Sequence, residues 1–292
     1  MRVRAVHTDQ LAAVGDADWV DPTRRPYVEN GIAWIPVKEG FSFEREIPDR
    51  HAYRGRGYFM LGDVAVIHGT RPGMREVEEI VSFRHPRGVL WIEALTGVTR
   101  TPETEILWGD AGEVCHRESG YTYYLDPQKV MFAQGNRNEK MRMARLIRES
   151  PEGTRVADMF AGIGYFTIPM AGSGARVHAM EINPVSFEYL KRNIEENGLS
   201  DRVDPSPGDC RTLLSGDYDR IVMGHFDAVL MLPSIFSHVH AGSILHVHSI
   251  GEVSEKILDA AKSAGFCATI QVHKVKKYSP FAWHQVQDVT LA

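Results

Sequence analysis

Cysteine is scarce: Cys115, Cys210 and Cys267 are the only three in 292 residues, and they are widely spaced. An odd number of separated thiols excludes a disulfide framework and a Cys-x-x-Cys metal site, and fits a reducing compartment. Long apolar runs are also missing. Residues 1–20 hold no stretch suited to a signal peptide. The most apolar later segment, AVLML before Pro233, is far short of the roughly 20 residues of a membrane span. These absences predict a cytoplasmic protein with no membrane partner. Basic charge is not in excess either. Against 38 Asp and Glu stand 33 Lys and Arg, a formal net charge of −5. Neither half is basic: residues 1–150 hold 21 basic and 22 acidic side chains, and residues 151–292 hold 12 and 16. A nucleic-acid wrapper driven by overall charge is excluded, whereas a local basic patch is not.

What is present is an ordinary globular composition, 43% hydrophobic and 24% charged, of a length that predicts two domains. The texture changes near residue 150. Before it, strand-like runs (59–69, 88–99, 104–109) are broken by Gly, Pro and charged turns. EVCHRE and YTYYLD flank Ser119-Gly120 as a hairpin. Residues 1 to about 55 carry no regular pattern. RNEKMRMARLIRE (137–149) predicts a helix, with Asn136 as cap and Glu139 completing a capping box. After SPEG (150–153), strands at 155–160, 176–181, 219–224 and 243–249 alternate with helices, the clearest being 183–197 behind Asn183 and Pro184. Strands at 266–275 and 283–291 have no helix between them, so the last enters antiparallel. The expected architecture is α/β: a doubly wound, mostly parallel seven-stranded Rossmann-type sheet over 151–292, with a smaller β-rich α+β domain over 1–150. No pattern in the chain specifies an oligomeric state.

The chemistry concentrates where the first strand of the second half ends. Asp158-Met-Phe160-Ala-Gly162-Ile-Gly164 is a glycine turn of the kind that lets backbone approach a ligand. A dinucleotide loop would want a third glycine where Thr167 stands, and a basic residue for a pyrophosphate; neither is there. Glu181 closes the second strand and suits ribose hydroxyls. Asp209, beside Cys210, follows the third strand and suits an adenine amino group. The set points to S-adenosylmethionine, with NAD and a purely structural turn as the alternatives.

These motifs, with DRIVMG and the tail KVKKYSPFAWHQVQDV, resemble the archaeal family that modifies the purine beside the anticodon. It contains the position-37 tRNA guanine-N1-methyltransferase and the wybutosine-pathway aminocarboxypropyltransferase, both of the class I methyltransferase fold. The resemblance spans about 57–292. It implies S-adenosylmethionine as co-substrate and phenylalanine tRNA, at its anticodon loop, as partner. The methylating branch carries Asn-Leu-Pro where this chain has Met223-Gly224-His225, which favours the aminocarboxypropyl branch. By the same resemblance Ala133 and Lys140 reach the ligand, standing where the pattern has Ser and Arg. Lys140 keeps a charge for the ligand carboxylate but loses a bidentate fork.

Arg137, Lys140, Arg142, Arg145 and Arg148 form a basic run opposed only by Glu139. With Lys276 and Lys277 near the tail, it marks an RNA-binding surface, the solvated helix face being the plainer alternative. His225 is the candidate catalytic residue, a proton acceptor working near neutral pH, with a structural role in shaping the pocket as the plainer alternative. His238, His240, His246 and His248 lack a third ligand, so no metal is expected. The expected reaction is transfer of the 3-amino-3-carboxypropyl group to C7 of the wyosine precursor. The alternatives are N1-methylation of guanosine 37 and a non-catalytic tRNA-binding protein.

Overall fold

The computed structural model describes residues 1–15, 17–29, 31–47, 53, 55–279 and 281–292. The chain divides into two compact units, Met1–Arg54 and Gly55–Ala292. The first holds β1 (Arg2–His7), α1 (Leu11–Val14), β2 (Tyr27–Glu29), β3 (Ile32–Pro36) and β4 (Arg45–Glu46), with the strands in one antiparallel sheet of order β2-β3-β1-β4. Its pattern is hard to see in sequence because β3, IAWIP, is apolar on both faces, although Ala33, Ile35 and Pro36 are buried and Ile32 and Trp34 only partly so.

The second unit opens with β5 (Phe59–Leu61), β6 (Val64–His68), α2 (Met74–Arg84), β7 (Gly88–Thr96) and β8 (Thr101–Gly109). The expected single strand over 59–69 is a hairpin, broken at Gly62, whose φ of +57° suits glycine. The helix α2 was not expected; it carries β6 into parallel pairing with β7 and buries Val77 and Ile80. β9 (Val114–Glu118) and β10 (Tyr121–Leu125) pair around Ser119 and Gly120, both at positive φ, as a tight hairpin turn requires.

α3 (Arg137–Arg148) follows, but without the capping box: Asn136 makes no side-chain cap bond, and the Glu139 carboxylate is turned onto Arg142 instead. Next come β11 (Arg155–Asp158), α4 (Thr167–Gly172), β12 (Arg176–Glu181), α5 (Pro184–Glu196), β13 (Val203–Pro207), α6 (Cys210–Leu213) and β14 (Arg220–Met223). The chain ends with β15 (Ile244–Ile250), α7 (Ser254–Ser263), β16 (Ala268–Ser279) and β17 (Ala282–Leu291). The strands β11–β17 form one mixed sheet of order β13-β12-β11-β14-β15-β17-β16. β11 to β15 pair parallel, and β17 runs antiparallel to both neighbours.

The division falls at residue 54 and not near 150, because one core spans that point. Leu61, Leu90, Tyr123, Phe132 and Met143 pack with Val156, Ile168, Phe187 and Val222. The opposite sheet face buries Met180, Ile221, Leu245 and Val289 against Leu232 and Ile257. Asn193 of α5 fastens the parts together: its amide donates to Tyr124 O (3.1 Å) and Ile163 O (3.0 Å) and accepts from Tyr124 N (2.7 Å). Among the described residues no helix is long and apolar enough to cross a membrane.

Candidate functional site

The turn after β11 needs its glycines. Gly162 and Gly164 lie at φ +58° and +105°. A Cβ on Gly162 would meet the Tyr165 ring at 2.2 Å, and one on Gly164 would meet Ile168 at 2.7 Å. The Gly162 amide donates to Glu181 Oε2 and the Asn183 amide to Glu181 Oε1, each at 2.7 Å. The carboxylate that ends β12 therefore pins the glycine turn to the start of α5. Burial raises its pKa, opposed by these amide bonds. Asp158 is wholly buried; it accepts from the Thr167 hydroxyl at 2.7 Å and, more weakly, from the Phe160 amide at 3.4 Å. Burial pushes its carboxyl up to about 6.

At the end of β14, Met223 is buried, and His225 stacks on Phe160 with ring centroids 5.3 Å apart. The Asp227 amide donates to His225 Nδ1 at 3.2 Å, which leaves the proton on Nε2. To accept a proton through Nε2 the ring must first give up that bond. Burial, then the charge of Arg100, hold its pKa below the usual histidine value. Asp209 caps α6 through the Arg211 amide (3.0 Å) and is ion-paired with the Arg211 guanidinium, which lowers its pKa. The Cys210 thiol is buried and pushed up to about 11, so it is no nucleophile.

The segment before α3 closes one side. The Tyr165 hydroxyl donates to Met131 O, and Ala133 packs half-buried on the core. Lys140 is not free to meet a ligand: its Nζ donates to Glu118 Oε1 at 2.7 Å, 4.7 Å from the Phe132 ring centroid and 5.6 Å from that of Tyr165. The structure thus brings Asp158, Phe160, Gly162, Gly164, Glu181 and His225 together, with Asp209 and Cys210 at the next strand end. Sequence reasoning missed Arg100 on the β7–β8 turn. The Thr99 carbonyl accepts from Asn183 Nδ2 at 3.1 Å, which anchors this turn beside Glu181. An arginine among threonines in a hairpin turn carries no sequence signal.

The basic run divides. Arg137, Arg145, Arg148 and Lys277 lie at the surface. Arg142 is turned inward onto Glu139 and Asp288, with N–O distances of 2.5–3.1 Å, and is corrected from a phosphate contact to a structural cation. Lys276 is half-buried, its Nζ packed on Gly135 where a Cβ would stand 2.4 Å away. His246 bonds Asp288 at 2.7 Å, and His248 bonds His284 at 2.9 Å. Among the described residues no three His, Cys, Asp or Glu gather as metal ligands.

An open α/β sheet with a glycine turn, a strand-end acid and an antiparallel last strand is the frame of class I S-adenosylmethionine-dependent methyltransferases. Residues 114–275 match the TRM5/TYW2 methyltransferase domain, and the chain belongs to that family. The chain is 36% identical over 249 residues to the tRNA(Phe) (4-demethylwyosine(37)-C(7)) aminocarboxypropyltransferase of Methanocaldococcus jannaschii, covering 80% of this chain and 97% of that one. The solved structure of Pyrococcus horikoshii TYW2 in complex with MeSAdo superposes with a TM-score of 0.70 at 29% identity, covering 81% and 91%. Trm5b from Pyrococcus abyssi superposes at 0.74 with 26% identity over 99% of both chains.

Proposed function

We propose that this chain moves the 3-amino-3-carboxypropyl group of S-adenosylmethionine to C7 of the wyosine precursor at position 37 of phenylalanine tRNA. A C7–Cγ bond forms, the Cγ–S bond breaks, methylthioadenosine leaves, and C7 gives up its proton. One observation carries the choice: the relationship to the M. jannaschii aminocarboxypropyltransferase runs through nearly all of that enzyme, and the β14 end reads Met223-Gly224-His225 without Asn-Leu-Pro.

The sulfonium supplies an already activated carbon, so the protein's task is positioning. Gly162 and Gly164 make room for the nucleoside. Glu181 has lone pairs left for ribose hydroxyls, and Asp209 takes the adenine amino group beside Cys210. Phe160 and Asp158 shape the turn, and Ala133 lines the approach from the side of α3. His225 is the candidate proton acceptor, at the cost of its bond to the Asp227 amide. No basic side chain lies between 159 and 166, which fits a nucleoside without phosphates. Arg137, Arg145, Arg148 and Lys277 meet tRNA phosphates, and the β-rich residues 1–150 help hold the tRNA. No metal enters this reading, and the cytoplasm is the compartment.

The second reading, N1-methylation of guanosine 37, is favoured by the whole-chain likeness to Trm5b. The test is incubation with precursor-bearing tRNA and S-adenosylmethionine labelled separately in the methyl and carboxyl carbons. Carboxyl label in RNA is expected; methyl label alone overturns the proposal.

A further inference from the structure

We infer that Arg100 holds the carboxylate of the S-adenosylmethionine amino-acid arm, and so decides which sulfonium carbon faces the acceptor; this rests on the reaction proposed above. A carboxylate drawn into a cleft needs a cation with donors still unspent. Most of the nearby cations are spent. Lys140 is taken by Glu118, Arg142 by Glu139 and Asp288, and Arg211 by Asp209. Arg100 is different. Its Nε is buried without a partner, and its side chain makes no hydrogen bond or ion pair among the described residues.

Its position follows from a chain of bonds. The preceding carbonyl, Thr99 O, is held by Asn183, whose amide binds Glu181, whose other oxygen binds the Gly162 amide. Arg100 itself sits at φ +49°, a left-handed conformation that non-glycine residues rarely keep unless the surroundings impose it. Its charge is felt on two rims of the cleft, lowering the pKa of His225 at the β14 end and opposing the rise of the Tyr165 hydroxyl in the glycine turn. A planar guanidinium can grip a carboxylate through two parallel bonds, a geometry the Lys140 ammonium cannot supply. Lys276 is the rival cation, but its ammonium is packed on Gly135.

Calorimetric titration of wild type, Arg100→Gln, Arg100→Lys and Lys276→Gln with three ligands tests this. The ligands are S-adenosylmethionine, its decarboxylated form, which keeps the sulfonium and amine, and methylthioadenosine. Arg100→Gln should lose roughly ten- to a hundredfold in affinity for S-adenosylmethionine and bind the other two as wild type does, with Arg100→Lys recovering part of the loss. Equal weakening for all three ligands, no weakening for any, or a carboxylate-selective loss in Lys276→Gln instead would overturn the assignment. If wild type binds none of the three, the proposed reaction falls first. If wild type binds all three and only the Arg100 prediction fails, the reaction stands and the inference does not.

Discussion

Lys140 and Glu118 form an ion pair at 2.7 Å, with 2% and 6% of their side chains exposed. The pair joins α3 to β9, and the ammonium lies beside the Phe132 and Tyr165 rings. Burial pulls the Lys140 pKa down, and the Glu118 carboxylate pulls it back up. Such a pair is held in place by the cost of breaking it, because removing one partner strands a buried charge. Lys140→Met should therefore destabilise the protein by about 3–5 kcal/mol, and so should Glu118→Leu. The double variant should recover most of that loss. Urea denaturation of the four proteins gives the coupling; additive losses would mean the pair is not one unit.

The same pair shows how far sequence can be read. The strand ends, the glycine turn and the Asn183 cap are local patterns. Asn183 Oδ1 accepts from the Val185 and Ser186 amides as the pattern says. Long-range pairing leaves no such trace. Nothing in EVCHRE says that Glu118 will meet a lysine 22 residues on, and nothing in RNEKMRM says that Arg142 will turn inward to Asp288, 146 residues away. A run of basic residues at helical spacing looks the same whether its members face water or carboxylates. Near residue 150 the strand texture changes but the core does not, so the compact units divide at residue 54, where no local pattern marks the boundary.

Arg142 and Arg145 separate the two fates of that run. Arg142→Ala leaves the buried carboxylate of Glu139 and the partly buried one of Asp288 without their shared cation, and should cost about 3 kcal/mol or more in denaturant stability. Arg145 is 62% exposed, with Glu149 at 3.9 Å as its ion-pair partner among the described residues, so Arg145→Ala should be nearly neutral for stability. Its expected effect is on tRNA binding. If Arg145 meets a phosphate, the slope of log affinity against log salt flattens by roughly 1 in the variant. An unchanged slope would take Arg145 off the RNA surface.

Glu181 and Gly162 test the nucleoside site from its two sides. Glu181→Ala removes the acceptor that pins the turn and, in the proposed site, meets the ribose. Affinity for S-adenosylmethionine and methylthioadenosine should fall together by roughly tenfold or more. Gly162→Ala places a methyl group where the Tyr165 ring lies and forces a left-handed alanine. It should weaken both ligands and also lower stability, by about 1–3 kcal/mol. Full affinity in Glu181→Ala would mean the ribose lies elsewhere.

Asp158 makes stability depend on pH in a direction opposite to most carboxylates. Burial raises its carboxyl from 3.8 to about 6, with the nearby Glu181 charge adding to the rise and the Thr167 hydroxyl and Phe160 amide opposing it. The folded state therefore holds this proton more tightly than the unfolded chain. Stability from this group is fully present below about pH 4, falls as pH rises through 6, and stays low above that. Two pKa units correspond to a ceiling of about 3 kcal/mol. Asp158→Asn cannot ionise, so its stability relative to wild type should improve between pH 4 and pH 8 by up to that amount. Any constant cost of the altered Thr167 bond cancels in the difference. Denaturant midpoints for both proteins across this range decide the matter: a difference that does not move with pH would show that Asp158 keeps an ordinary pKa despite its burial.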